Sequence, residues 1–443
     1  MASCARLVTA PKGRLTIGLQ LNKLPHINHA LYHTVVTVLL VLYPFDAPAQ
    51  SKWIRQFGTS NDDQARAILA AGSSVYVTGW TVGELPGQKK VGRQDSYLRK
   101  YDPDGKELWT RQFDIGNYSE GRAIAASASE VYLAGLTRDD GFVRKFDANG
   151  KELWTRQIGT ASDADDQILA IALDATGIYV AGSTADVLPG QTSAGNADAF
   201  VRKYDPEGKE LWTRQFGTSS FDQARGIAVN DSGVYVAGLT VGAMPGATST
   251  GTHDVFVRKY DAGGKELWTH QFGTSNLDEV CGIAVDGSGV YVAGTTRGAL
   301  QGQTNAGGAD MFIRKYDAAG KEMWTRQFGT VEYDHARAIS VHDAGVYVAG
   351  WTLGSIPRQA SHGMHDALIA RFSTAGEPIW THQFGSSNLD DPFGICVDSS
   401  GIYVAGLTGG KLSGQKNAGS VDTFVAKFDN APAGDTAGRA QGR

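Results

Sequence analysis

One phrase recurs seven times along this chain, reading LWTRQFG around Trp212, WTHQFGT around Trp268 and MWTRQFG around Trp324. Equivalent tryptophans stand at Trp53, Trp109, Trp154 and Trp380, and successive copies are 56, 45, 58, 56, 56 and 56 residues apart. A fixed period of this length implies an array of identical small units, none of which can bury its own apolar face. It also limits what the residues can say about function. A side chain present in every copy is explained first by the architecture, so only departures from the repeat can mark a specific activity.

The copy from Trp212 to Trp268 reads as four short strands. GlyIleAlaVal at 226–229 and ValTyrValAlaGly at 234–238 are apolar runs rich in β-formers, separated by the turn residues Asn230–Gly233. A polar loop at 241–253 follows, then an alternating segment at 254–260, the turn Asp261–Gly264 and a fourth strand at 265–272. Four-stranded sheets with two semi-apolar faces stack face to face around an axis in a β-propeller. A solenoid would need distinct capping units. This chain instead starts the array with an orphan fourth strand, Trp53–Phe57, and ends it with an orphan third strand, Thr423–Phe428. The expectation is an all-β, seven-bladed propeller of four-stranded antiparallel blades, closed when the N-terminal strand completes the last blade.

The joint phrase GlyIleAlaVal, GlyValTyrValAlaGly, PheValArgLysTyrAsp and GlyLysGluLeuTrp resembles the SBBP (seven-bladed beta-propeller) repeat family of bacterial exported and cell-surface proteins. The match runs over about 375 residues and all seven copies. The resemblance implies a propeller outside the cytoplasm and supplies no catalytic residues, because the family has no common assigned activity.

The ends are read separately. Lys12, Arg14 and Lys23 precede an apolar run at 35–43 and then Ala47-Pro48-Ala49, the pattern of a secretory signal peptide removed near Ala49. The expected domains are a leader at 1–49, the propeller at 50–429 and a disordered tail at 430–443. The apolar run is short for a membrane span, so the mature chain is not expected to cross one. Net charge is −5 with no basic stripe, which argues against nucleic acid as a partner. Cys281 and Cys396 fall at different repeat positions, which speaks against a disulfide between them.

Two carboxylate ladders run through the copies. Asp95, Asp140, Asp198, Asp254, Asp310, Asp366 and Asp422 precede the third strands; Asp63, Asp166, Asp222, Asp278, Asp334 and Asp390 open first strands, with Ser119 in the second copy. Strands one and three run the same way, so both ladders belong on one face of the disc. Their repetition points to turn hydrogen bonds rather than to acid–base chemistry.

Three departures from the repeat are candidate binding features. Arg66, Arg122, Arg225 and Arg337 share one position, expected near the mouth of the central channel, where they form local ion pairs or an anion-attracting rim. Tyrosine-to-aspartate spacing is 19 residues in six copies and 8 between Tyr132 and Asp140, so the second blade has lost 11 residues of loop and a notch should open beside Asp140. Asp334, His335, His362, His365 and Asp366 gather in the sixth copy as a possible metal-ligand set. The tryptophans and the tyrosines at Tyr76, Tyr132, Tyr179, Tyr235, Tyr291, Tyr347 and Tyr403 suit packing between blades.

No nucleophile elbow, HExxH or phosphate loop is present. The sequence therefore reads as a monomeric, non-catalytic binding or scaffolding propeller that presents a loop face to a protein or glycan, with no cofactor. The alternatives are a quinone dehydrogenase, whose repeats share the Gly264-Lys265-Glu266-Leu267-Trp268 type of phrase, and a metal-dependent lyase or hydrolase built on the sixth-blade histidines.

Overall fold

The computed structural model describes residues 50–159, 165–343 and 345–430; the leader at 1–49 and the tail from 431 lie outside the described residues. Those residues form 28 strands in seven four-stranded antiparallel sheets. Six blades are sequential: 63–113, 119–158, 167–216, 222–272, 278–328 and 334–384. The seventh joins Asp390–Asp398, Gly401–Thr408 and Asp422–Phe428 to the N-terminal strand Ser51–Phe57. That strand pairs antiparallel with the last one, from Ile54 opposite Ala426 to Phe57 opposite Thr423. The ring is closed as the sequence implied. Asn430, expected in the tail, is tied to the ring by Nδ2 donating to Asp398 O at 2.6 Å.

The core lies between blades rather than within them. Tyr179, Ala181 and Val201 of the third blade interlock with Val234, Val236, Phe256 and Tyr260 of the fourth in one buried cluster. Val75, Val77, Tyr97 and Tyr101 of the first blade meet Tyr403, Ala405 and Val425 of the seventh in the same way. Neither face of a blade can be dry without its neighbours, which is why the ring must close.

The recurring phrase is the clamp between blades. The Trp212 indole, on the outer strand of blade four's predecessor, packs 6.1 Å from the Tyr179 ring of its own blade and 6.4 Å from Tyr260 of the next. Its Nε1 donates to Ala262 O at 3.1 Å, and Arg214 Nε donates to Gly264 O at 2.7 Å. The outer strand thus grips the hairpin turn of the following blade. Trp53 and Arg55 do the same across the closure, donating to Pro103 O and Gly105 O at 3.1 and 2.7 Å.

The first strand of each blade is longer than the apolar run suggested. In blade four it spans Asp222–Asn230, opened by the aspartate as the ladder implied, four residues before the apolar run at 226–229. Its register shifts between Ala224 and Gly226, which leaves Arg225 as the extra residue of a β-bulge. All seven first strands carry the bulge at this position.

Candidate functional site

The bulge decides what lines the centre of the ring. First strands of neighbouring blades pack against one another, and each extra residue is turned toward the axis. The bulged residues are Arg66, Arg122, Leu169, Arg225, Cys281, Arg337 and Phe393, and all seven line a central cavity of about 380 Å³. A uniform backbone device therefore presents a non-uniform set of side chains. The four arginines expected at the mouth are brought together here.

Partners come from the residue that follows the first-strand aspartate or Ser119, a position that also varies between blades. Arg66 Nε donates to Glu120 Oε1 at 2.5 Å. Arg122 Nε lies 3.1 Å from that same oxygen but outside hydrogen-bonding geometry, so it is ion-paired and still a buried N–H without an acceptor. Arg337 makes two bonds to Asp391, 3.1 and 2.8 Å. Both Arg66 and Arg337 stack on Phe393, with guanidinium carbons 4.5 and 4.9 Å from the ring centre. Arg225 Nε donates 2.9 Å to the neutral Gln223. Burial lowers the pKa of Arg122 and Arg225; Glu120 opposes that at the first and Glu279 at the second.

The carboxylate ladders lie on one face and serve the turns. Asp222 Oδ2 accepts Thr218 N at 2.5 Å and Thr218 Oγ1 at 2.9 Å; Asp198 Oδ2 accepts Ala194 N at 2.9 Å and Gln215 Nε2 at 2.8 Å. The two flank Gly217, where a Cβ would come within 2.6 Å of an oxygen on each. Burial pushes the Asp222 carboxyl up, hydrogen bonds from Thr240 and Thr218 pull it part of the way back, and the Asp198 charge adds to the rise. The same pairing recurs around Gly273, Gly329 and Gly385.

That pairing separates two of the sixth-blade candidates. Asp334 faces Asp310 across Gly329, whereas Asp366 faces Asp390 across Gly385. His335 and His365 each pack flat against Trp351, with centroids 5.5 and 4.3 Å away and planes within 12° and 9°. His335 Nε2 stands 3.2 Å from Glu279 Oε2, which holds Glu279 at a pKa of about 2 with help from Arg225. His362 lies instead beside His382, whose pKa falls to about 4, chiefly by burial. Among the described residues no three His, Cys, Asp or Glu side chains gather as a ligand set. Trp351, Glu279 and Asp391 escaped the sequence reading; for Glu279 and Asp391 the variation after the first-strand aspartate was the signal that could have found them.

The second blade joins its second and third strands by only three residues, 138–140. Elsewhere the outer-strand glutamine holds the long loop: Gln215 Oε1 accepts Leu188 N at 2.9 Å and Nε2 donates to Asp186 O at 2.8 Å. With the loop shortened, Gln157 is exposed and reaches Asp140 Oδ2 at 3.3 Å. Burial and the neighbouring Asp139 raise the Asp140 pKa.

On the same face, the loops of blades five and six carry exposed apolar groups. Val331 is 77% exposed, Met364 63%, Tyr333 44% and Leu353 40%. Their backbone is anchored: Leu353 N donates to Tyr333 O at 2.9 Å, Gly308 N to Glu332 O at 3.0 Å and Met364 N to Asn388 O at 3.2 Å. The thiols are inert by comparison. Cys281 and Cys396 are free, and burial raises their pKa values to about 12 and 11.

These features define the class: a seven-bladed β-propeller whose repeated side chains hold the ring and whose variable side chains face the channel and one loop face. No family model matches the chain. Regulatory protein FlaEY of Caulobacter vibrioides is 27% identical over 319 residues, 61% of this chain and 33% of that protein, so the chain spans about a third of the length of the relative it matches. Among solved structures, the Neurospora crassa Pan2 WD40 domain aligns with a TM-score of 0.50 and 10% identity, covering 88% of this chain and 98% of that one. The WD40 domain of Toxoplasma gondii coronin aligns at 0.47 and 10% identity, over 88% and 89%. The likeness to the Pan2 domain speaks for the fold alone. Among the described residues, no helix is long and apolar enough to cross a membrane.

Proposed function

We propose that this protein is a non-catalytic binding or scaffolding propeller of the bacterial cell envelope or extracellular space, related to the SBBP repeat proteins, and that its loop face over blades five and six holds a protein partner. The observation that carries the reading is the exposure of Val331, Tyr333, Leu353 and Met364 on loops whose backbone is pinned from below. Apolar groups grouped on a rigid scaffold mark interaction surfaces, and protein partners bury such groups readily. The aspartates accept turn hydrogen bonds and the thiols are held neutral, so the side chains support binding better than turnover. A relative described as a regulatory protein agrees with that reading. The basic and apolar leader ending at Ala49 supports export.

The test compares capture from the native envelope by wild type, by Val331→Glu with Met364→Glu, and by Leu211→Glu on the outer rim. The partner should be lost from the loop variant and kept by the rim variant. Retention by the loop variant would overturn the site. Export is checked independently by N-terminal sequencing of the native protein, expected to begin near Gln50; an intact leader would overturn it.

A further inference from the structure

The charges in the central channel do not balance, and the imbalance is local. Four guanidinium groups enter the cavity, against the carboxylates of Glu120, Glu279 and Asp391. Asp391 is committed to Arg337 by two bonds. Glu120 gives its hydrogen bond to Arg66 while standing 3.1 Å from Arg122, so one carboxylate serves two guanidinium groups, and Glu279 faces His335. What is left over is the sector spanning blades two to four. There Arg122 has a buried Nε with no acceptor, and among the described residues the Arg225 side chain hydrogen-bonds only the neutral Gln223. The blade between them contributes Gln167 and Leu169, neither of which carries charge.

We propose that this sector of the channel is a binding site for a small oxyanion, a phosphate or carboxylate group, held between Arg122 and Arg225. A guanidinium offers paired N–H donors whose spacing matches two oxygens of such a group, and a confined cavity strengthens the attraction. The electrostatics agree: each arginine's pKa is depressed first by burial and also by another arginine of the channel, so an anion would relieve both. The cavity, at about 380 Å³, has room for such an ion with water. The inference stands apart from the loop-face reading, because it concerns the axis of the ring and not its rim.

The repeat itself supplies the variants. Leucine already occupies the bulge in blade three and glutamate already follows the first aspartate in blade five. Arg225→Leu and Gln223→Glu should therefore fold, the second by giving Arg225 a carboxylate of its own. Binding of inorganic phosphate to residues 50–443 is followed by calorimetry and by thermal shift, against chloride at matched ionic strength. Wild type should show saturable binding, weakened at least tenfold in each variant, while Leu211→Glu binds as wild type. The free tetraglutamate peptide separates two sources of the group: competition with phosphate points to an acidic side chain of a partner, and phosphate binding without competition points to a free solute. No saturable phosphate or tetraglutamate binding by wild type, or undiminished binding by both channel variants, would overturn the proposal.

Discussion

Two glycines of blade four have nearly the same backbone and opposite surroundings, which allows the contact between blades to be weighed. Gly246 has φ +79° and no atom within 4 Å of where a Cβ would stand; Gly264 has φ +78°, and a Cβ there would lie 2.8 Å from Trp212 Cδ2. An alanine in this left-handed region costs about 1–2 kcal/mol at either site. The restriction that alanine places on the unfolded chain is shared and cancels. Gly264→Ala must in addition displace an indole held by its bond to Ala262 O. Overpacking of this kind costs about 1–3 kcal/mol. Gly264→Ala should therefore lose about 1–3 kcal/mol more than Gly246→Ala in urea unfolding followed by tryptophan fluorescence and by far-UV dichroism. In a Trp212→Ala background the excess should vanish, since the obstructing ring is gone. Equal losses at the two glycines, or an excess that survives removal of the indole, would refute the claim that the recurring tryptophan clamps the next blade.

Other outcomes follow from the same geometry. A chain starting at 58 lacks the strand paired with 422–428 and the bonds of Trp53 and Arg55 to blade one; at about 1 kcal/mol per hydrogen bond, the loss should reach several kcal/mol. Trimming 431–443 should leave the melting temperature within a degree or so of wild type, and equal melting of the two truncations would contradict the closure. Arg337→Leu strands the buried Asp391 and should cost about 3 kcal/mol. Arg225→Leu strands no carboxylate bonded to it and should cost far less in the same unfolding assay. Asp278 has its folded-state pKa raised, by burial foremost, so the folded form favours the protonated carboxyl. Its contribution to stability is complete below the unfolded pKa of about 3.9 and is lost as pH rises through the folded value. Asp278→Asn should thus match or exceed wild type at pH 7, and its advantage should shrink toward pH 4 in urea titrations. His382 acts in the opposite sense. Its pKa is depressed to about 4, so stability is lost as pH falls from about 6.5 through that value, and His382→Gln should flatten that part of the pH profile.

The architecture was legible because each of its devices leaves a periodic trace. The tryptophans at near-constant spacing, the turn residues at Asp261–Gly264 and the orphan strands at 53–57 and 423–428 suffice for blade count, strand order and closure. The shortened loop before Asp140 was visible for the same reason. The four channel arginines were legible as a shared repeat position, but the device that turns them inward was not, because a β-bulge is a backbone event without a compositional signature. Polar Gln223 and bulged Arg225 interrupt the alternation between Asp222 and the apolar run at 226–229, which hides the bulge. The sixth-blade cluster failed to assemble for a geometric reason. Asp334 and Asp366 lie on one face, but each is engaged with the carboxylate of a different neighbouring blade, while His335 and His365 spend their flat faces on Trp351. Shared face is a weaker constraint than shared interface.

The central claim is that the repeated side chains hold the ring while the variable loops of blades five and six hold a partner. Hydrogen exchange of the ring, free and in complex with the captured partner, tests it most directly. The account predicts that partner-dependent slowing concentrates in 329–333 and 353–365, with the hairpin turns on the opposite face, such as 261–264, unchanged. Slowing centred on those hairpin turns, with the two loops exchanging as in the free ring, would contradict it.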